Sequence, residues 1–297
     1  MKQSIGMVGI GLMGHGIARN LLKHGHDLVV LEHAGNQPLD ELKAAGATTA
    51  SSAAKVASMV DVLILCVTGS PQVEAVLQGP GGVLEGLKPG TVVIDCSTAI
   101  PSSTERLAKA VSDAGGRFLD SPMTRSPKEA AEGRLNLLVG GDAALFAECR
   151  PILACFAENI THAGPVGAGH RMKLLHNYVS LGFMSLLAEA AACAERVGVD
   201  AGVFVEVLAK GGGGGAALER IKPYLAAKDP SGLRFSVANA FKDIGYYTAM
   251  ASETHAAHTI ADGVLATLAR ANQDGGPQAL LPELVSLLGV RGDRTEG

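Results

Sequence analysis

Lys173, His176 and Asn177 bring a primary amine, an imidazole and a carboxamide together at spacings of three and four residues. Residues so spaced stand on one face of a helix. Aimed at one point, such a trio can hold a carbonyl or hydroxyl oxygen and move a proton to or from it. The trio follows Gly167 and Gly169 and opens a long helical pattern. Lysine with asparagine four residues on is also common on solvated helix faces, so its use depends on what the rest of the chain supplies.

A second constellation supplies a cofactor site. Gly9-Ile10-Gly11-Leu12-Met13-Gly14 follows an apolar strand pattern and opens a helix. In that context Gly9 makes the tight turn, Gly11 admits a pyrophosphate to the helix N-terminus, and Gly14 lets helix and strand pack closely. The next strand ends at Glu32, whose carboxylate suits both ribose hydroxyls of an adenosine and repels a 2′-phosphate. His33 is not a strongly basic neighbour, so NAD is expected, with NADP as the alternative. Two further strand ends complete the groove. Cys66-Val67-Thr68 can pass beneath the cofactor, and Ser97-Thr98 offers hydroxyls near the nicotinamide; either loop is equally readable as ordinary turn chemistry.

These groups need a frame. Through about residue 160, Ser4–Val8, Leu28–Leu31, Val62–Val67, Thr91–Cys96, Arg117–Asp120 and Leu135–Val139 read as strands, with helical patterns such as Gly16–His24 and Pro101–Ala114 between them. Strands apolar on both sides and alternating with helices predict a doubly wound, mostly parallel α/β sheet of the Rossmann kind. From Gly167 onward only helical patterns remain: Gly169–Val197, Ala201–Ala209, Ala216–Leu225, Val237–Ala251, His255–Ala271 and Pro277–Leu288. The expected division is a dinucleotide-binding domain, 1–164, and an all-helical domain, 165–297, begun by the Lys173 helix at an interdomain cleft. Gly211–Gly215 reads as a connector or a mobile lid.

Composition narrows the class. The 297 residues suit two domains, and 47% hydrophobic, 18% charged and 38 glycines describe a folded, turn-rich chain. A net charge of −4 without a basic run gives no footprint for nucleic acid. Cys66, Cys96, Cys149, Cys155 and Cys193 form no Cys-x-x-Cys pair and read as small buried hydrophobes in a reducing compartment. The first residues break into Gly9, Gly11, Gly14 and Gly16 before any cleavage-type site, and no apolar run approaches a membrane span. A cytoplasmic protein without a membrane partner is expected.

Five signatures stand in order: Gly9-x-Gly11-x-Met13-Gly14; Asp95-x-Ser97-Thr98-x-x-Pro101; Asp120-x-Pro122 leading to Gly133 and Val139-Gly140-Gly141; Gly167-x-Gly169 with Lys173 and Asn177; and Lys242-Asp243. Over essentially its whole length the chain resembles the β-hydroxyacid dehydrogenases, the group of 3-hydroxyisobutyrate dehydrogenase, tartronate semialdehyde reductase and sulfolactaldehyde reductase. The resemblance implies NAD(P)-dependent interconversion of a 3-hydroxy acid and its semialdehyde, with no metal, in a homodimer or homotetramer. It implies that Lys173 is the general acid/base and that Asn177 holds the substrate. Thr98 and Lys242 would lie on the cofactor, and Ser97, Thr124, Ser126, His176 and Ser180 around the substrate. By itself, Lys242-Asp243 could be a surface pair.

One departure bears on the substrate. Most of the family reads Asp-Ala-Pro-Val-Ser-Gly-Gly, and here the turn is Thr124-Arg125-Ser126. Sulfolactaldehyde reductases carry a similar arginine and a similar Asn-Tyr-x-Ser run, here Asn177-Tyr178-Val179-Ser180. Arg125 is therefore expected to bind a second anionic group, a sulfonate or carboxylate. The segment Gly167 to Asn177 also resembles 6-phosphogluconate dehydrogenase, but that enzyme has a glutamate where this chain has Ser180, and a longer helical domain. Imine reductases share the architecture and generally lack the lysine. A non-catalytic NAD-binding protein on the same scaffold is the reading from another class.

Overall fold

The computed structural model describes residues 2–289. Two compact units divide the chain, the first ending at Lys173 and the second beginning at Leu174.

In the first unit nine strands form one sheet: β1 (Ser4–Val8), β2 (Asp27–Leu31), β3 (Thr48–Ala50), β4 (Val62–Leu65), β5 (Val92–Asp95), β6 (Arg117–Asp120), β7 (Met123–Thr124), β8 (Leu135–Gly140) and β9 (Ala157–Gly164). Their order is β3-β2-β1-β4-β5-β6-β8-β7, with β9 paired to β8. β1 to β6 pair in parallel, β6 and β7 run antiparallel to β8, and β9 is parallel to it. The order reverses between β1 and β4, and in such sheets ligands bind outside the strand ends at that point. Sequence reading missed β3, β7 and β9. The first two are three and two residues long, and β9, Ala-Glu-Asn-Ile-Thr-His-Ala-Gly, is a largely exposed edge without the apolar run that marked the others.

The helices are α1 (Leu12–Lys23), α2 (Asp40–Ala44), α3 (Ala53–Ala57), α4 (Ser70–Gln78), α5 (Val83–Gly86), α6 (Pro101–Asp113), α7 (Pro127–Glu132), α8 (Ala143–Leu153) and α9 (Ala168–Arg196), then α10 (Ala201–Lys210), α11 (Ala216–Ala227), α12 (Val237–Glu253), α13 (Thr259–Gly275) and α14 (Leu284–Gly289). Successive strand residues face opposite sides. Ile64 and Ile94 thus join Ile17, Leu21 and Leu153 in one layer, while Leu63, Leu65 and Val93 join Val56, Val73 and Leu107 in the other. Each fully buried Leu or Ile contributes about 1.5–3 kcal/mol. The buried strands therefore have no polar face.

The second unit is helical. Leu181, Met184 and Leu187 of α9 pack with Leu218, Ile221, Ile244, Leu268 and Leu284. Gly211–Gly215 connects α10 to α11. The helix expected at His255–Ala271 starts later, at Thr259, and the one expected at Pro277–Leu288 is a 3-10 turn, Leu281–Glu283, followed by α14. Among the described residues no helix is long and apolar enough to cross a membrane.

By contacts the units divide inside α9, between Lys173 and Leu174. The Asp120 carboxylate at the end of β6 accepts the backbone N–H groups of Gly167 at 2.7 Å and His170 at 2.8 Å. The first turn of α9 thereby belongs to the sheet.

Candidate active site

The glycine loop after β1 has the shape its spacing implies. Gly9 has φ +95°, and a Cβ there would lie 2.2 Å from the Cys66 carbonyl oxygen. A Cβ on Gly14 would lie 2.0 Å from the Gly9 carbonyl oxygen, whereas one on Gly11 would meet nothing within 4 Å. Gly11 is the N-cap of α1 and offers no side-chain cap, so the first-turn N–H groups keep their anion-binding capacity. Leu12 is exposed and Met13 half-buried beside this turn. These residues fit the pyrophosphate of a dinucleotide.

Asn36 locks the loop. Its Oδ1 accepts the Ile10 N–H at 3.2 Å, its Nδ2 donates to the Leu31 carbonyl at 2.8 Å, and the Gln37 N–H reaches the Ile10 carbonyl at 2.7 Å. Sequence reading did not find it, because an Asn in a Gly-Asn-Gln stretch reads as a plain turn. Beside it, Glu32, His33, Asn36, Gln37, Asp40 and Lys43 help line a cavity of about 500 Å³. Hydrogen bonds from Thr49 and then Lys43, whose Nζ is 3.2 Å from Glu32 Oε1, hold the Glu32 carboxyl below its ordinary pKa. The strongly basic neighbour that His33 failed to supply is therefore Lys43, contributed by α2.

The loops after β4 and β5 are tied together. The Val67 N–H donates to Ser97 Oγ at 3.0 Å, and the Ser97 N–H to Asp95 Oδ1 at 2.9 Å. Ser97 is 2% exposed. Its hydroxyl oxygen joins the two loops. Thr68 is exposed and Thr98 half-buried. Burial, and next the Asp95 charge, push the Cys66 thiol up to about 12, so it stays protonated.

The turn after β6 differs most from expectation. Thr124 Oγ1 accepts from Asn136 Nδ2 at 3.1 Å across the β7–β8 pair. Arg125 stands at φ +82°, a conformation easy for glycine and costly for arginine. Its Nη1 donates to the Glu158 carboxylate and the Arg134 carbonyl. Arg125, first among causes, keeps Glu158 below its ordinary pKa. Ser126 is the N-cap of α7 in a capping box: it accepts the Lys128 N–H, and its own N–H reaches Glu129 at 3.0 Å. Arg125 and Ser126, expected to bind substrate, thus have structural partners within the first unit.

Lys173 closes that unit as a buried side chain, 9% exposed, early in α9. One turn on, in the second unit, Asn177 is 5% exposed. Its Nδ2 donates to Asp243 Oδ2 at 2.7 Å, and His176 Nδ1 lies 3.1 Å from its Oδ1. Lys242 Nζ pairs with the other Asp243 oxygen at 3.0 Å and lies 5.4 Å from the centre of the Tyr246 ring. Ser180 Oγ is 3.5 Å from the Asn177 carbonyl. Asp243 is 2% exposed and is no surface partner. A signal existed: Ala240, Ile244, Tyr247 and Ala251 mark the buried stripe of α12, and an acid at 243 falls on it. Among the described residues no group of three or more His, Cys, Asp or Glu could hold a metal ion.

The arrangement is a dinucleotide-type groove at the β1/β4 reversal, and a lysine and an asparagine on one helix with a carboxylate fixing the asparagine. Known proteins resemble this chain in sequence and in fold. A family model described as the NAD binding domain of 6-phosphogluconate dehydrogenase matches residues 4–164, and one described as NAD-binding of NADP-dependent 3-hydroxyisobutyrate dehydrogenase matches residues 167–288. The NAD-dependent L-serine dehydrogenase of Pseudomonas aeruginosa is 36% identical over 252 residues, 82% of this chain and 84% of that one. The 2-(hydroxymethyl)glutarate dehydrogenase of Eubacterium barkeri is 32% identical over 242 residues, 81% of this chain and 80% of that one. Among solved structures, Mycobacterium tuberculosis 3-hydroxyisobutyrate dehydrogenase with L-serine gives a TM-score of 0.86 at 25% identity, covering 97% of this chain and 99% of that one.

Proposed function

This chain belongs to the β-hydroxyacid dehydrogenase family, and on that premise we propose that it interconverts a short 3-hydroxy acid and its semialdehyde, with Lys173 moving the proton and NAD the preferred cofactor. The single observation that carries the reading is that Asn177, buried and held by Asp243, follows buried Lys173 by four residues on α9.

NAD(P), when bound, accepts or supplies hydride at its nicotinamide. In oxidation the Lys173 amine takes the hydroxyl proton as the C–H bond breaks; in reduction its ammonium returns a proton to the carbonyl oxygen. Asp243 fixes the carboxamide through Nδ2, and Asn177 Oδ1, 3.1 Å from His176 Nδ1, has a second lone pair to accept a substrate hydroxyl. Burial strengthens both interactions by excluding water. Ser180 offers no acid of the kind a sugar-acid decarboxylation would need, so the 6-phosphogluconate reading is set aside.

The names of the relatives support one substrate class for the proposal. Serine, 3-hydroxyisobutyrate and 2-(hydroxymethyl)glutarate all place a hydroxymethyl group on the carbon bearing the carboxylate. They differ only in the third substituent. A 2-substituted 3-hydroxypropanoate is the substrate proposed here.

A second reading adds an anionic third substituent, a sulfonate or carboxylate, bound by Arg125. The observation favouring it is the φ of +82° that Arg125 holds where glycine would be unstrained. An anion would have to take the guanidinium from Glu158.

The test is steady-state oxidation of L-serine, 3-hydroxyisobutyrate, 2-(hydroxymethyl)glutarate and 2,3-dihydroxypropane-1-sulfonate, the alcohol of sulfolactaldehyde, with NAD and NADP, repeated with Lys173→Ala. One substrate should be oxidised well, and Lys173→Ala should lower its kcat by more than about 100-fold. Silence on every substrate despite measurable NADH binding would leave the non-catalytic reading standing. Arg125→Ala should raise KM at least about ten-fold on an anionic third substituent and not on serine; equal effects remove the second reading.

A further inference from the structure

The proton chemistry assigned to Lys173 leaves a buried cluster beneath it unused. The His170 side chain is wholly buried, three residues before Lys173 in α9. Its Nε2 lies 3.1 Å from the Ser97 carbonyl oxygen after β5, and its Nδ1 lies 2.8 Å from Thr104 Oγ1 on α6. A carbonyl only accepts, so Nε2 carries a proton and donates. Asp95 Oδ2 and Asp120 Oδ2 lie 4.0 Å and 3.9 Å from the ring nitrogens.

Asp120, also wholly buried, receives the N–H groups of Gly167 and His170. These are among the N-terminal donors that α9 cannot satisfy internally, and the carboxylate also faces the positive end of the helix. The usual device is a Ser, Thr, Asp or Asn at the N-cap itself. Here the cap comes from a strand across the sheet. The seat is tight: a Cβ on Gly169 would lie 2.3 Å from the Leu138 carbonyl oxygen, and one on Gly140 would lie 2.5 Å from Asp120 Oδ1.

Two buried carboxylates and an imidazole are an expensive way to join a helix to a sheet, since apolar side chains of similar volume often do so at no loss of stability. What they supply is direction. A sliding apolar contact tolerates rotation of α9, whereas hydrogen bonds to the Ser97 carbonyl and from two specified N–H groups admit only one axial position and one rotation. A rotation by one residue is about 100°, and would carry the Lys173 amine to another side of the helix.

We propose that Asp120 and His170 form a socket that sets the position and rotation of the first turn of α9, and are thereby positioning residues for proton transfer by Lys173. The role rests on the assignment of that transfer to Lys173.

Asp120→Asn keeps the volume but places an amide N–H against a backbone donor. His170→Gln keeps a donor for the Ser97 carbonyl, and His170→Leu keeps none. Asp120→Asn and His170→Leu should lower kcat per folded molecule at least about ten-fold, the scale of an ångström-sized misplacement, with the cofactor Kd and substrate KM within about two-fold. His170→Gln should recover most of the loss. Hydrogen exchange at the Gly167 and His170 amides should accelerate in Asp120→Asn. Unchanged exchange there, or wild-type kcat per folded molecule beside a lowered Tm, overturns the socket. A fully active Lys173→Ala enzyme overturns the underlying assignment instead, and amide exchange still reports whether Asp120 seats the helix.

Discussion

The Asn177 carboxamide donates to Asp243 over 2.7 Å with both side chains buried. The other Asp243 oxygen pairs with Lys242 at 3.0 Å. One carboxylate from α12 therefore orients an amide on α9 and an ammonium on its own helix. Asp243→Ala leaves the buried Asn177 amide without this acceptor, which costs about 1–3 kcal/mol of stability. Asp243→Asn should keep the fold and still lower kcat/KM more than about ten-fold, because its amide opposes one of the two donors. Urea unfolding and steady-state kinetics on both variants check this; an Asp243→Asn enzyme with wild-type kinetics would separate Asp243 from function.

Gly11 and Gly14 should fail differently when changed to alanine. The Gly14 methyl would lie 2.0 Å from a backbone oxygen, so that variant should lose about 1–3 kcal/mol or more of stability. The Gly11 methyl meets no protein atom within 4 Å. Gly11→Ala should unfold at the wild-type temperature and bind NADH more weakly, by at least about ten-fold, since the methyl stands where a phosphate must approach. Calorimetry and NADH titration separate the two effects.

Cofactor choice should turn on Glu32 and Lys43 together. Glu32→Gln removes the charge opposing a 2′-phosphate and releases Lys43, now 3.2 Å away, to bind one. The ratio of kcat/KM for NADPH over NADH should rise at least about ten-fold, and adding Lys43→Ala should reverse most of the gain. An unmoved ratio would place discrimination elsewhere.

Acid should weaken the first unit through its Arg–Glu pairs. Arg117 donates to Glu148 at 2.6 and 2.9 Å, and this, first among causes, lowers the Glu148 pKa below its ordinary value near 4.5. A depressed carboxylate pKa means that folding favours the ionised form. Its stabilisation is present above the ordinary value and is lost as pH falls through the folded one, roughly between pH 5 and 3. The pair is about half exposed, so the effect is modest. Urea midpoints at pH 7 and pH 3.5 should therefore drop further in the wild type than in Glu148→Gln.

Much of this protein could be read from local pattern. β1, β2, β4, β5, β6 and β8 announced themselves because strands covered on both faces are apolar through their middles, and α9 through its long periodic run. The positions of the glycine loop, Glu32, Lys173 and Asn177 could be read because a tight turn, a strand end and a shared helix face are set by residues close in the chain. What remained hidden depends on partners far away in sequence. Arg125 has the chemistry of an anion binder, yet Glu158 holds it; Ser126 has a ligand's hydroxyl, yet it caps α7. Asn36, Lys43 and His170 carry no spacing signal of their own, and the motif positions of Asp120 and Asp243 do not name their partners, since each acquires its role from groups that only folding brings within hydrogen-bonding distance. Spacing along a chain determines which face a side chain occupies. Which charge or donor stands opposite it is decided by the packing of elements, and that decision turned a lysine and an asparagine on one helix into a candidate active site.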